Sequence, residues 1–335
     1  MNEEELVSME AVDVSPADND WMSLKVVTKR CIASDVYLFE LSRVGSGGRL
    51  PHSDPGAHIT LLTPNGLTRR YSLCNRPGEI DVYRIAVKRE ENGLGGSKSL
   101  VDRVQVGDVV QASPPLNYFP LVDAAPYSLL IAGGIGITPI LSMARALQAR
   151  AAAFQIIYLT QKPESAAFRD QLCAPDLAPH AIVHHNFADP ARKFDLATAL
   201  AACPANGHIY CCGPRRLMDA VKELSRGRPH GTVHFEDFGT SAVSADHPDI
   251  PFQVKLGRSG LMLDVPCGRT ILDVLRDARV LVPSSCESGT CGACRTRLLS
   301  GVADHRDYVL DEDQQGSEIM ICVSRAKSAV IEIDL

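Results

Sequence analysis

Four cysteines near the C-terminus carry the most specific chemical signal in the chain. Cys286, Cys291 and Cys294 stand in a C-x4-C-x2-C spacing, and Cys322 follows after 27 intervening residues. This spacing suits a [2Fe–2S] cluster, whose four thiolates must converge on a compact inorganic core. Gly289 and Gly292 give the intervening loop the freedom to bend tightly enough to supply three of them. A structural zinc site is the competing reading, although zinc modules usually show two short-spaced cysteine pairs and here the second pair is absent. The other seven cysteines, Cys31, Cys74, Cys173, Cys203, Cys211, Cys212 and Cys267, are scattered and read as small apolar side chains.

Two further segments have the composition of nucleotide sites. Gly133, Gly134 and Gly136 follow a buried apolar run and open a helix. Glycines let a backbone approach a pyrophosphate, and the helix N-terminus offers unpaired N–H groups and the positive end of its dipole. Thr138 suits the cap and Pro139 the first helical position. Upstream, Arg69, Tyr71 and Ser72 share one strand, where by themselves they read as ordinary cross-strand pairs. Gly95-Gly96-Ser97 running into a short helix is a second phosphate cradle.

The elements that must position these groups fall into three stretches. From Met22 to Leu116 the signals are strand and turn: Met22 to Ile32, Asp35 to Val44, His58 to Leu62, Arg70 to Leu73, Glu79 to Lys88 and Asp108 to Ala112. Asn65-Gly66 marks a hairpin and Ser99 to Arg103 a short helix, which predicts a small antiparallel β-barrel. Strands then alternate with helices: strand Tyr127 to Ala132, helix Pro139 to Arg150, strand Phe154 to Thr160, helix Ser165 to Leu172, strands Ile182 to Phe187 and His208 to Cys211, helix Pro214 to Leu224. That is the pattern of an α/β domain with a parallel sheet. Residues 239–251 lack an apolar period and read as a linker, after which a hairpin, the helix Ile271 to Ala278 and the strand Ala329 to Ile333 form a third unit.

Composition bounds the rest. The 335 residues are 45% hydrophobic and 22% charged, ordinary for a folded globular chain. The net charge of −6 comes from the first twenty residues, which hold seven acidic groups and no Lys or Arg and read as a disordered tail. The near-neutral remainder has no footprint for nucleic acid. The uncharged stretch 124–144 is interrupted by glycines and Pro139 and does not read as a membrane helix. No secretory signal is visible, which places the chain in the reducing cytoplasm with its thiols free or metal-bound.

The segment from Pro283 to Cys294 resembles the cluster loop of plant-type ferredoxins. Ala132 to Pro139 together with Tyr210-Cys211-Cys212-Gly213-Pro214 resembles the two nucleotide turns of the ferredoxin reductase superfamily, and Arg69 to Leu73 its flavin motif. Ala86-Val87-Lys88 and Gly95-Gly96-Ser97 resemble the second flavin segment of the phthalate dioxygenase reductase family, and the three-module order resembles that family over residues 22–335. The resemblance implies a multidomain chain: an acidic tail (1–20), an FMN-binding β-barrel (21–122), an NAD-binding α/β domain (123–238), a linker (239–251) and a β-grasp plant-type ferredoxin domain (252–335).

It also implies roles. Arg69 would hold the FMN phosphate, Tyr71 the isoalloxazine face and Ser72 its N5 edge, and Lys88, Gly96, Ser97 and Ser99 would bind FMN from the second flavin segment. Gly133, Gly134, Gly136, Thr138, Pro139, Gly213 and Pro214 would frame NADH, with Cys212 beside the nicotinamide. Glu236 and Phe238 form the acidic and aromatic pair closing the module, and Cys286, Cys291, Cys294 and Cys322 hold the cluster. FAD in place of FMN and NADPH in place of NADH stay open on the residues alone. The chemical logic is that a nicotinamide gives two electrons together while an iron–sulfur centre accepts one, so a flavin must stand between them. The implied activity is that of an NADH-dependent reductase component serving a separate Rieske non-haem iron oxygenase that acts on an aromatic acid, with Arg295 and Arg297 beside the docking loop. An O-demethylase or amine monooxygenase is an alternative acceptor, and a zinc-binding nucleotide sensor is an alternative function. The ten histidines, His184-His185 included, show no ligand spacing for an oxygenase iron. The chain is expected to act as a monomer.

Overall fold

The computed structural model describes residues 21–45, 48–239 and 249–335. The acidic tail and most of the expected linker lie outside the described residues. The chain forms two compact units, one ending at Phe238 and one comprising the C-terminal segment.

The first unit begins with six antiparallel strands, β1 (Met22–Ala33), β2 (Val36–Arg43), β3 (His58–Leu62), β4 (Thr68–Ser72), β5 (Tyr83–Lys88) and β6 (Val109–Ala112), and one helix, α1 (Gly96–Arg103). Their order is β4-β3-β6-β1-β2-β5, and a bridge from Leu73 to Ile85 joins the two outer strands, closing the sheet into a barrel. Closure removes both edges. The expected strand from Glu79 starts only at Tyr83, because Glu79 is drawn into an ion pair with Arg84 and accepts the Arg76 N–H.

An α/β layer follows: β7 (Ser128–Gly133), α2 (Ile137–Ala149), β8 (Phe154–Thr160), α3 (Arg169–Leu172), β9 (Ala181–His185), α4 (Leu196–Ala201), β10 (His208–Cys212), α5 (Arg215–Leu224) and β11 (Val233–Glu236). All five strands are parallel, in the order β11-β10-β7-β8-β9. Every residue of β7 is buried, as a central strand covered on both faces requires. The helix expected from Ser165 shrinks to α3, because Phe168 adopts a left-handed φ of 59° directly before it. A core bridges the two layers: Val36, Leu38 and Ala86 of the barrel pack with Phe119, Leu130, Ile140 and Tyr210.

The second unit contains β12 (Phe252–Leu256), β13 (Met262–Val265), α6 (Ile271–Asp277), β14 (Arg295–Ser300), β15 (Ala303–Asp304), β16 (Glu318–Met320), β17 (Arg325–Ala326) and β18 (Val330–Ile333). The sheet order is β13-β12-β18-β14-β16, with β18 parallel to β12. Thr270 caps α6 in a reciprocal capping box with Asp273, and the helix buries Ile271, Leu272 and Leu275 against the sheet. This is the expected β-grasp arrangement.

Candidate functional site

In the parallel sheet, order reverses between β7 and β10, and the space beyond the carboxyl ends of such a pair is where open α/β sheets bind ligands. The two turns that leave these strands touch backbone to backbone. A Cβ on Gly136 would lie 2.1 Å from the Cys212 carbonyl oxygen, and one on Gly133 would lie 2.6 Å from Pro214 Cδ. These two glycines therefore serve turn-to-turn packing. Gly134, by contrast, has a φ of +54° and faces open space. The helix itself starts two residues earlier than expected. Gly136 occupies the cap position without a side-chain bond, and Ile137 is the first helical residue. Thr138 is thus not the cap: its hydroxyl is buried and donates back to the Ile135 carbonyl at 3.1 Å. Pro139 sits third, still within the turn whose N–H groups have no helical acceptor.

Cys212 ends β10 fully buried, in register with Ala132 on one side and Glu236 on the other. Burial pushes its thiol well up from the ordinary range, and the Glu236 carboxylate adds to the effect, so the sulfur is protonated at neutral pH. Glu236 accepts a hydrogen bond from Ser72 Oγ at 3.1 Å, although the two residues are 164 apart in sequence. The end of a barrel strand is thereby fixed to the switch point of the α/β sheet. Phe238, two residues on, leaves 40% of its surface exposed.

Beside Ser72 the barrel presents two polar atoms without protein partners: the buried Nη2 of Arg69 and the buried hydroxyl of Tyr71. Arg69 Nη1 donates to the Thr68 carbonyl at 2.7 Å. Its side chain lies against the first residue of α1, where a Cβ on Gly96 would meet Arg69 Nε at 2.8 Å. The cap position of that helix, Gly95, supplies no side-chain bond, and the first turn holds no acidic residue. An unpartnered guanidinium nitrogen against an uncapped helix N-terminus fits a flavin phosphate. Ser97 Oγ accepts the Glu90 N–H at 3.2 Å, while the exposed Lys88 pairs with Glu90. Ser99 Oγ is buried, 2.9 Å from the Gly96 carbonyl and 3.0 Å from Asn65 Oδ1, so it shapes the turn. Asn65, read from sequence only as a hairpin residue, is therefore a part of this cradle that sequence reasoning missed.

In the C-terminal unit the four thiols converge as two pairs. Cys286 sits beside Cys291 and Cys294 beside Cys322; within each pair the neighbouring sulfur pulls the first thiol down and pushes the second up. Backbone N–H groups point at the sulfurs: Ser288 at Cys286 and Cys286 at Cys291, both at 3.4 Å. Among the described residues, no three His, Cys, Asp or Glu groups gather around the position of a single ion. Two thiol pairs ringed by amide donors suit two irons bridged by sulfide better than one zinc. The buried members are Cys294 and Cys322, whereas Cys286 and Cys291 are half-buried.

The fold and these two sites define a class of protein: a flavin- and pyridine-nucleotide-dependent reductase that carries its own plant-type ferredoxin. Comparison with known proteins agrees. Residues 254–327 match the family of 2Fe-2S iron-sulfur cluster binding domains. The chain is 48% identical to phthalate dioxygenase reductase of Burkholderia cepacia, covering 96% of this chain and 99% of the relative. It is 46% identical to the phthalate 4,5-dioxygenase oxygenase reductase subunit of Pseudomonas putida, covering 95% and 98%. A solved phthalate dioxygenase reductase, described as a modular structure for electron transfer from pyridine nucleotides to [2Fe-2S], superposes with a TM-score of 0.68 over 94% of this chain and 98% of that one. The chain belongs to the phthalate dioxygenase reductase family. It is an NADH-dependent oxidoreductase whose cofactors are FMN and a [2Fe–2S] cluster. No helix among the described residues is long and apolar enough to cross a membrane.

Proposed function

We propose that the chain is the reductase component of a multicomponent oxygenase, and that its partner is a Rieske non-haem iron protein acting on phthalate or a similar aromatic acid. The observation that carries the catalytic part of this reading is the Ser72 to Glu236 hydrogen bond, which joins the flavin strand to the nucleotide turns. FMN supplies the conversion of a hydride's electron pair into single electrons. Arg69 and the first turn of α1 hold its phosphate by charge and N–H donors. Tyr71 covers a ring face and keeps water from it. Ser72 presents a hydroxyl to the reacting edge, and Glu236 fixes that hydroxyl and can exchange its proton.

On the nucleotide side, Gly134 opens the backbone to the pyrophosphate, and Gly133, Gly136, Gly213 and Pro214 set the width of the cleft. The protonated Cys212 thiol presents no charge to the nicotinamide. Thr138 and Pro139 shape the first turn of α2, and Phe238 would shield the flavin and have to yield to nicotinamide. Cys286, Cys291, Cys294 and Cys322 would hold the irons as thiolates, and the cluster would supply one-electron transfer, with Cys286 and Cys291 its half-buried ligands. In this reading the chain works as a single copy in the cytoplasm, where reducing conditions keep these thiols available to iron. The acidic tail and linker frame three functional modules with the boundaries given above.

The test is reconstitution with a phthalate-type Rieske oxygenase, following NADH consumption and dihydroxylated product together. Matched, substrate-dependent turnover is expected. Reduction of the cluster by NADH without oxygenase turnover would overturn the partner and leave the redox assignment standing.

A further inference from the structure

Asp307 lies outside the cluster's ligand set, yet the fold buries it against the cluster loop. Its side chain has no solvent exposure. Oδ1 accepts the N–H groups of Val309 at 3.0 Å and Leu310 at 2.7 Å, and Oδ2 accepts the Ser324 hydroxyl at 3.5 Å. His305 Nδ1 lies 3.8 Å from Oδ2. Donors converge on both oxygens, the pattern of an ionised, acceptor-only carboxylate. The residue packs against the loop that carries the first two cysteines. A Cβ on Gly289, which has a φ of +75°, would stand 3.2 Å from Asp307 Cα and 3.3 Å from its Cβ. The next residue ties the same segment down, since the Tyr308 N–H donates to the Gly289 carbonyl at 2.9 Å. On the far side, the neighbouring Arg306 is buried and paired to Asp249 at 2.7 Å and Asp304 at 2.8 Å, so the 304–307 segment has little freedom to move.

We propose that Asp307 is a positioning residue for the iron–sulfur centre: its backbone packs against the Cys286–Cys291 loop, its carboxylate pins the Val309–Leu310 turn beside that loop, and its buried negative charge makes the cluster harder to reduce. The first half follows from the contacts with Gly289. The second follows from charge. Taking up one electron makes the centre more negative, and a fixed anion in a water-excluded environment opposes that more strongly than a surface anion does. The inference rests on the four thiols holding the cluster, and iron and sulfide content of the unaltered protein tests that separately.

The experiment uses the full chain with its cofactors. Asp307→Asn keeps an oxygen acceptor for Val309 and Leu310 but removes the charge; Asp307→Ala removes both. Asp277→Asn removes a carboxylate whose side chain is 66% exposed in the same unit and serves as the control for overall charge. Iron and labile sulfide, the visible spectrum, the paramagnetic signal after reduction and the midpoint potential are measured for each. Asp307→Asn is expected to load its cluster fully, keep the line shape and titrate at a more positive potential, with Asp277→Asn shifted much less. Asp307→Ala is expected to lose severalfold in cluster content. The proposal is overturned if Asp307→Asn loads but titrates at the original or a more negative potential, if its shift is matched by Asp277→Asn, or if it fails to load, which would leave Asp307 a purely structural role.

Discussion

Replacing Gly136 by alanine tests whether the distance between the two nucleotide turns governs the reaction. The φ of Gly136 is −59°, so an alanine there meets no backbone penalty of its own. Its methyl group, however, would stand 2.1 Å from the Cys212 carbonyl oxygen, 2.5 Å from the carbonyl carbon and 2.9 Å from the Gly213 nitrogen. All three are backbone atoms in strand β10 and its turn, which have no rotamer to change. Relief requires the turns to separate by about 1 Å, a displacement that can cost an active site about 10²-fold in rate. Overpacking of this kind also destabilises by about 1–3 kcal/mol. Gly134→Ala is the contrasting change: its φ of +54° costs an alanine about 1 kcal/mol, but its Cβ meets nothing within 4 Å. Stopped-flow reduction of the bound flavin by NADH, with urea unfolding of each variant, reads both effects. Gly136→Ala should slow hydride transfer about 10²-fold. Gly134→Ala should raise the NADH concentration needed for half-saturation and leave the limiting rate nearer the original. A Gly136→Ala protein that reduces its flavin at the original rate would refute the idea that turn-to-turn contact sets the geometry.

Other outcomes follow from single contacts. Arg69→Gln should weaken FMN binding by about 1.5–3 kcal/mol, the worth of hydrogen bonds to a charged group; fluorescence titration of the flavin-free protein checks it, and unchanged affinity would remove Arg69 from the phosphate site. Ser72→Ala should slow flavin reduction by about 10²-fold, the low end of what proton-handling groups contribute, with little change in half-saturation by NADH; loss of binding alone would contradict that role. Cys322→Ser should abolish the paramagnetic signal of the reduced cluster and transfer to one-electron partners, while NADH still reduces the flavin. His234 is half-buried beside His208, 2.9 Å away, and desolvation followed by that neighbour lowers its pKa to about 4. The unfolded chain therefore takes up the proton first on acidification, so stability present above about pH 6.5 should fall towards pH 4, by up to about 3 kcal/mol. Urea unfolding at pH 7 and pH 5 measures the slope, which His234→Asn should reduce.

What the sequence made legible was local. His58–Leu62 and Phe154–Thr160 appear with the ends expected of them, because strong β-formers there meet turn residues or a change of period. The cysteine set was readable because ligand spacing is itself sequence information. Long-range contacts were not. Nothing in the local pattern joins Ser72 to Glu236, places Asp307 against Gly289 or turns Gly136 from a pyrophosphate contact into a spacer against Cys212. The α3 boundary failed for a related reason: residues 165–172 have helical propensity, but tertiary packing holds Phe168 in a conformation no helix tolerates. The helix α4, not expected from periodicity, carries a signal in hindsight, since Asp195 caps it by accepting the Thr198 N–H at 3.0 Å.

The core that Val36, Leu38 and Ala86 share with Phe119 and Ile140 bears on how such a protein could be assembled from inherited parts. A chimaera cut between residues 122 and 123 would strip apolar strands from their cover and leave both fragments sticky. Among the described residues, the core cluster of the C-terminal segment draws only on side chains from Phe252 onward. Transplantation between electron-transfer chains is therefore cheapest when barrel and dinucleotide layer travel together as one cassette and the C-terminal iron–sulfur segment is exchanged by itself.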